Sequence, residues 1–222
     1  MKPIARIKSD FPSKFGIPRQ SGIVAELKAD VVFEPEFSSP DAVRGLEEFS
    51  HIWLIWEFSE NLDAGHSLTV RPPRLGGNVR KGVFATRSPF RPNPIGLSCV
   101  KLEGIEASEG GVILHVSGAD LMDGTPIYDV KPYIPYADCV PGASGGFSHE
   151  PWEDRLEVVI SEELEKNVPP DRLSALRNVL AQDPRPAYQD DPNRIYAFEF
   201  AGMHIEFSVS GCTLTVKDVS KV

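Results

Sequence analysis

Cysteine is scarce in this chain. Cys99, Cys139 and Cys212 are odd in number, far apart and never form a Cys-x-x-Cys pair. That argues against a disulfide framework and a thiolate zinc site, and for a reducing cytoplasm. The five histidines, at 51, 66, 115, 149 and 204, show no ligand spacing, so no metal is expected. No apolar run reaches the length that spans a bilayer, and Met1-Lys-Pro-Ile-Ala-Arg carries no apolar signal core. Neither a membrane anchor nor export is therefore expected. Nucleotide-binding fingerprints are missing as well. No Gly-x-Gly-x-x-Gly follows a strand, and there is no Walker loop, zinc-deaminase signature or Gly-x-Ser-x-Gly elbow on a strand-to-helix turn. A nucleotide-like ligand would have to bind in the loops of a β architecture.

Acid is missing from one window. Residues 71 to 101 hold arginines 71, 74, 80, 87 and 91, lysines 81 and 101, and no Asp or Glu, a local charge of +7. The whole chain carries −9, so the remainder sums to −16. Basic charge gathered in one segment of an acidic protein suits a polyanion approaching from one side. A solvated loop that merely lacks acids is the plainer alternative.

The same window holds Gly82-Val-Phe-Ala-Thr-Arg-Ser-Pro-Phe-Arg-Pro-Asn-Pro-Ile-Gly-Leu-Ser98. Pro89, Pro92 and Pro94 each fix φ, remove a donor and push the preceding residue into extended backbone. Neither a helix nor a central strand passes through. What is expected is a stiff loop presenting Arg87 and Arg91, organised before an anionic group arrives.

Strands dominate elsewhere. Residues 4–8, 22–37, 51–58, 67–71, 97–105 and 112–116 read as strands, and helices do not alternate with them. His51 to Phe58 is apolar on both faces, which suits a strand covered on both sides, with Trp53 and Trp56 in a core or a subunit interface. Ser39-Pro40 predicts a helix start, with Ala42, Val43, Leu46 and Phe49 on one face. The expected core is thus an antiparallel β-barrel. Pro141 to Gly146 reads as a linker, which divides the chain into a barrel domain (1–145) and a small α+β module (146–222). In the module Pro169-Pro170 starts a helix bearing Leu173, Leu176, Val179 and Leu180, and a three-stranded meander ends the chain.

Asp123-Gly124 is a strong turn signal. Just beyond it, Asp129, Lys131 and Tyr133 alternate onto one face of a strand, with Tyr128 and Val130 on the other. A salt bridge with packing tyrosines and a reactive site explain this cluster equally well.

The block 82–96 resembles the signature of the TsaA-like, or TrmO, family of tRNA methyltransferases. Pro18-Arg-Gln20, Val43-Arg-Gly-Leu-Glu-Glu-Phe-Ser-His51, Arg71-Pro-Pro-Arg-Leu-Gly-Gly-Asn78, Asp123-Gly-Thr-Pro126, Asp129-Val-Lys-Pro-Tyr133 and Gln182-Asp-Pro-Arg-Pro-Ala-Tyr188 extend the likeness along nearly the whole chain. The resemblance implies a homodimeric β-barrel enzyme. It would use S-adenosylmethionine to methylate N6 of threonylcarbamoyladenosine beside the tRNA anticodon. Matching positions imply cofactor contacts at Pro18, Arg19, Gln20, Arg87, Leu97 and the turn Leu121, Met122, Asp123, Gly124, Thr125. Ser59 and Glu60 stand where close relatives carry His-Gln, a departure within that set.

Methyl transfer from a sulfonium needs alignment and dryness more than a metal or a covalent nucleophile. Arg71, Arg74, Arg80, Lys81 and Arg91 are therefore the candidates for tRNA phosphates, with Arg185 and Tyr188 for the anticodon arm. Asp129 or Tyr133 is the candidate base. Deleting residues 147–222 is expected to weaken tRNA binding more than cofactor binding. A non-catalytic RNA-binding barrel, or a methyltransferase with a small-molecule acceptor, are the competing readings.

Overall fold

The computed structural model describes residues 1–108, 110–148, 155–185 and 191–222. The first strands are β1 (Ala5–Lys8), β2 (Lys28–Phe33), β3 (His51–Glu57), β4 (Thr69–Val70) and β5 (Lys81–Gly82). They are followed by β6 (Ile95–Ser108), β7 (Gly111–Ser117) and β8 (Pro126–Pro132). Six of these close into a barrel in the order β1-β2-β7-β6-β3-β8, every neighbouring pair antiparallel. The expected mainly-β fold with an antiparallel barrel is what the chain adopts. Closure gives each of the six strands a neighbour on both sides. β4 and β5 pair only with each other.

Alternation puts Ile7, Val31, Ile52, Leu54, Val100, Leu114 and Ile127 inside, so the barrel is packed rather than hollow. β3 buries Ile52, Leu54 and Trp56 while His51, Trp53, Ile55 and Glu57 stay half-buried on the outer wall. The expectation that both faces of this strand are covered is therefore corrected within the single chain. The helix expected from Ser39 is also corrected. Gly45 adopts φ +87° and splits the segment into two single 3-10 turns, Pro40–Val43 and Leu46–Glu48.

The ladder registers fix which loops share an end. Glu57 faces Ile95 and Trp56 faces Ile127, so β3 ends where β6 and β8 begin. Arg6 faces Pro126, Lys8 faces Asp30 and Lys28 faces Ser117. Connections 9–27, 58–94 and 118–125 therefore all leave the same end of the barrel.

After β8 come α1 (Pro135–Asp138), β9 (Glu157–Val159), α2 (Glu162–Glu165) and α3 (Pro170–Ala181). The meander β10 (Tyr196–Phe200), β11 (Met203–Ser210) and β12 (Thr213–Lys221) follows, and β9 adds to it in parallel beside β12. α3 begins at Pro170 and buries Ala175, Leu176, Val179 and Leu180 against this sheet. The second core is not made by the C-terminal residues alone. Phe11, Val24 and Leu27, from the loop between β1 and β2, are buried in it. Phe11 meets Phe200 at 5.2 Å between ring centroids. A Cβ on Gly16 would lie 2.6 Å from the Phe198 ring, so only glycine admits that approach. Arg172 and Asp10 form a 2.9 Å salt bridge across the same junction, with side chains 26% and 14% exposed.

Candidate functional site

Every candidate cofactor segment lies at the loop-bearing end of the barrel. Loop 9–27 brings Pro18, Arg19 and Gln20, and loop 58–94 brings Ser59, Glu60 and Arg87. The 118–125 connection brings Leu121 to Thr125. Leu97, near the start of β6, points outward and is 53% exposed. Arg87 donates to the Gln20 side chain, so two loops far apart in sequence meet there.

The Leu121–Thr125 turn is pinned from outside. Asp123 Oδ1 accepts the Ser9 amide at 3.0 Å, and Ser9 Oγ donates to the Leu121 carbonyl at 2.9 Å. Gly124, at φ +75°, donates its amide to Ile7 at 2.8 Å. Thr125 Oγ1 donates to the Met122 carbonyl at 2.7 Å. Asp123 thus shapes the turn. The Ser59–Ala64 3-10 turn is tied to the same end by Phe58 N–H to Pro94 O, 2.8 Å, and by Lys14 Nζ to Asn61 Oδ1, 3.2 Å.

Arg19 turns toward a different neighbour. It lies with Lys14, Pro18, Asp183 and Arg185 around a cavity of about 150 Å³ between loop 14–19 and residues 182–185. Burial pushes its guanidinium pKa down, and the Asp183 carboxylate opposes that.

The two candidate bases are not brought together. Asp129 faces Ile55, which faces Leu97 on its other side, so these three form one row across the outer wall. Asp129 is therefore near the cofactor segments. Its carboxylate lies 2.9 Å from Lys131 Nζ. Tyr133 donates its amide to the His51 carbonyl, at the far end of β3. Six residues separate His51 from Glu57, roughly 20 Å of strand. There Tyr133 packs against His51 and Trp53. Its phenol pKa is raised, by desolvation first and then by Cys139 and neighbouring groups.

Among the candidate RNA contacts, Arg71, Arg80 and Arg87 are exposed and Arg74, Lys81 and Arg91 half-exposed. Arg80 is steadied by Thr69 Oγ1 at 2.9 Å, and Arg91 by the Thr86 carbonyl at 3.0 Å. Arg185 behaves otherwise. It binds Asp183 through two bonds of 2.8 and 2.9 Å, and its side chain is only 12% exposed. The guanidinium expected to help hold the anticodon arm thus braces its own loop. Tyr188 lies outside the described residues. So does His149, among the histidines surveyed for ligand spacing. Among the described residues no group of three or more His, Cys, Asp or Glu could hold a metal. No described helix is long and apolar enough to cross a membrane. Ser144, in Gly142–Gly146, sits in exposed coil without the strand-to-helix turn that a nucleophile elbow needs.

Sequence reasoning missed a polar network at the barrel mouth. Trp56 Nε1 donates to Ser98 Oγ at 2.9 Å, and Ser98 Oγ donates to Asp120 Oδ1 at 2.6 Å. Burial raises the Asp120 carboxyl pKa, while bonds from Ser98 and the Ser21 amide and the charge of Arg87 oppose it. Gly96 makes room for the Trp56 ring, since a Cβ there would lie 2.2 Å from it. The inward alternation of Gly96 and Ser98 beside an apolar strand was the available signal.

The donor set suits S-adenosylmethionine. Arg87 is a charge-assisted donor for a carboxylate, and outward Leu97 and Ile55 offer apolar wall to thioether or adenine.

Residues 6–139 match the sequence model of the tRNA-methyltransferase O N-terminal domain, and residues 153–222 that of the TrmO C-terminal domain. The chain is 41% identical over 215 residues to an Escherichia coli K12 protein named tRNA (adenine(37)-N6)-methyltransferase, covering 93% of this chain and 92% of that one. It is 43% identical over 204 residues to a Pseudomonas aeruginosa protein provisionally named an S-adenosylmethionine-dependent methyltransferase, covering 88% and 86%. A crystal structure of TrmO from P. aeruginosa superimposes with a TM-score of 0.79 at 35% identity, covering 99% of this chain and 95% of that one.

Proposed function

Since this chain belongs to the TrmO family, we propose that it is a tRNA (adenine-N6)-methyltransferase acting at position 37. We assign it S-adenosylmethionine as methyl donor and N6 of threonylcarbamoyladenosine as acceptor. The observation that carries the assignment is the gathering of loops 9–27, 58–94 and 118–125 at one barrel end, with Arg87 bonded to Gln20.

Bound S-adenosylmethionine would supply an electrophilic methyl on a sulfonium. Arg87, held by Gln20, offers charge to the donor's carboxylate. Leu97 and Ile55 keep water from the outer wall beside it. The hydrogen bonds that pin the Leu121–Thr125 turn would hold its backbone in alignment with the donor. Asp129, in the same row as Leu97 and with Lys131 Nζ 2.9 Å from its carboxylate, would accept the N6 proton. Tyr133, roughly 20 Å along the strand from the loop end, takes part only if a second subunit supplies it. A homodimer pairing through the outer wall around Trp53, Ile55 and Leu97 would do so. Arg71, Arg74, Arg80, Lys81 and Arg91 draw in the anticodon arm. We assign residues 1–145 to the chemistry. Residues 146–222 hold the RNA, and the reaction is cytoplasmic.

Calorimetry with S-adenosylmethionine, followed by methyl incorporation into tRNA with and without the threonylcarbamoyl group, tests this. Donor binding with methylation confined to the modified tRNA is expected. RNA affinity without donor binding would make the protein a non-catalytic RNA binder. Donor binding without tRNA affinity would indicate a small-molecule acceptor. Sedimentation mass tests the dimer.

A further inference from the structure

We propose that Asp120 is a positioning residue of the methyl-donor site, tying the Pro18–Ser21 loop, strand β6 and the Leu121–Thr125 turn into one unit. The inference rests on the donor-site assignment above.

The reason lies in the barrel's construction. β7 stops at Ser117, which faces Lys101 of β6. The first half of β6, from Ile95 to Val100, therefore has no β7 partner on that side. A backbone donor left unpaired beside a core is costly. Loop 9–27 fills the gap. Ser21 Oγ accepts the Cys99 amide at 3.2 Å, and the Gly22 amide donates to Gly118 O at 2.8 Å. The loop bearing Pro18, Arg19 and Gln20 is thereby laid along β6 under Leu97.

Asp120 locks that arrangement. Its carboxylate lies close enough to the Ser21 amide of the loop for that dipole to act on it. It also accepts Ser98 Oγ from β6 at 2.6 Å, and Ser98 is fixed in turn by Trp56 Nε1 at 2.9 Å. Asp120 precedes Leu121, which is 1% exposed and whose carbonyl takes Ser9 Oγ. The three donor-facing segments thus meet on one side chain. Arg87 is close enough for its charge to act on Asp120, and its guanidinium donates to Gln20. The cation proposed for the donor's carboxylate is therefore oriented by the loop Asp120 anchors and by Asp120's own charge. Asp120 itself touches no reacting atom.

Asp120→Ala, Asp120→Asn and Ser98→Ala test the tether. In the cofactor-free protein, hydrogen exchange of amides 19–22 should quicken about tenfold or more in Asp120→Ala, while amides of β11 stay protected. The dissociation constant and KM for S-adenosylmethionine should rise about tenfold, with KM for tRNA within about twofold. Asp120→Asn keeps an acceptor for Ser21 and should recover most of both effects. Ser98→Ala should show a smaller version, and it carries the test with Asp120→Asn if Asp120→Ala does not fold. Unchanged exchange at 19–22 would overturn the tether. Faster exchange with unchanged donor affinity would overturn both the proposal and the placing of Pro18–Gln20 at the donor. A fall in kcat with unchanged KM for the donor would overturn positioning. Wild-type protein that binds no S-adenosylmethionine would overturn the donor site itself.

Discussion

Two proline-stiffened loops carry arginine in this molecule, and they use it in opposite ways. Between β5 and β6, Arg87 is exposed and reaches across to Gln20 of another loop. After α3, Arg185 is nearly buried and clasps Asp183 of its own loop. Proline content is similar in the two, so it reports rigidity and nothing about what the arginine binds. The difference is the nearest carboxylate. Residues 71–101 contain none, whereas Asp183 stands two residues before Arg185. An arginine with an acid in its own loop is neutralised locally, and one without is left to more distant groups and to a partner from outside.

The largest effect expected from this contrast concerns what lies beneath the loops. Removing residues 147–222 strips the cover from Phe11, Val24 and Leu27, each worth about 1.5–3 kcal/mol when buried. Loop 9–27 should then lose its order, and donor affinity should fall along with tRNA affinity in calorimetry. This revises the expectation that truncation weakens tRNA binding more than donor binding. Donor binding that survives truncation unchanged would show that the two cores are independent.

Arg87→Ala comes next. Loss of one charge-assisted contact, about 1.5–3 kcal/mol, should weaken S-adenosylmethionine roughly 10- to 100-fold with little change in Tm. Arg185→Ala should do the reverse. It should cost about 1–3 kcal/mol of stability by urea unfolding, because Asp183 is left without its clasp, and change tRNA affinity less than about twofold. A large loss of tRNA affinity without a stability change would put Arg185 back on the RNA surface. Arg71→Glu with Arg74→Glu should weaken tRNA binding and flatten the slope of log affinity against log salt by about 2 or more, leaving donor affinity unchanged.

The smallest expected effect is a pH dependence. Asp120's carboxyl lies above its ordinary 3.8 in the folded protein, first because of burial. Its contribution to stability is therefore fully present below pH 3.8 and is lost as pH rises through the folded-state value. The stability of wild type relative to Asp120→Asn, by urea unfolding, should increase as the medium is acidified from neutrality. A difference independent of pH would contradict the direction of the shift.

Much of this was legible in the residues. Period-two alternation in Val112–Val116 and Met203–Val209 gave strands where strands are found, and three prolines in six residues marked the loop that carries Arg87. What could not be read depends on long-range register. Asp129 and Tyr133 alternate onto one face in sequence, yet the pairing of β8 with β3 puts Asp129 in the row of Ile55 and Leu97 and Tyr133 at the other end. Asp120 looks ordinary until β7 is seen to stop at Ser117. Val24 and Leu27 fall in a stretch that reads as strand and Phe11 in none, because the core they enter is built some 150 residues later. The helix after Ser39 failed on a local feature, the left-handed Gly45.

A structure of the protein with S-adenosylhomocysteine bound tests the account most directly. The ligand's carboxylate should meet Arg87, with Gln20, Leu97 and the Leu121–Thr125 turn around the rest of the molecule. A ligand seated beside Tyr133 at the far end of β3, or in the cavity between loop 14–19 and Asp183, would contradict it.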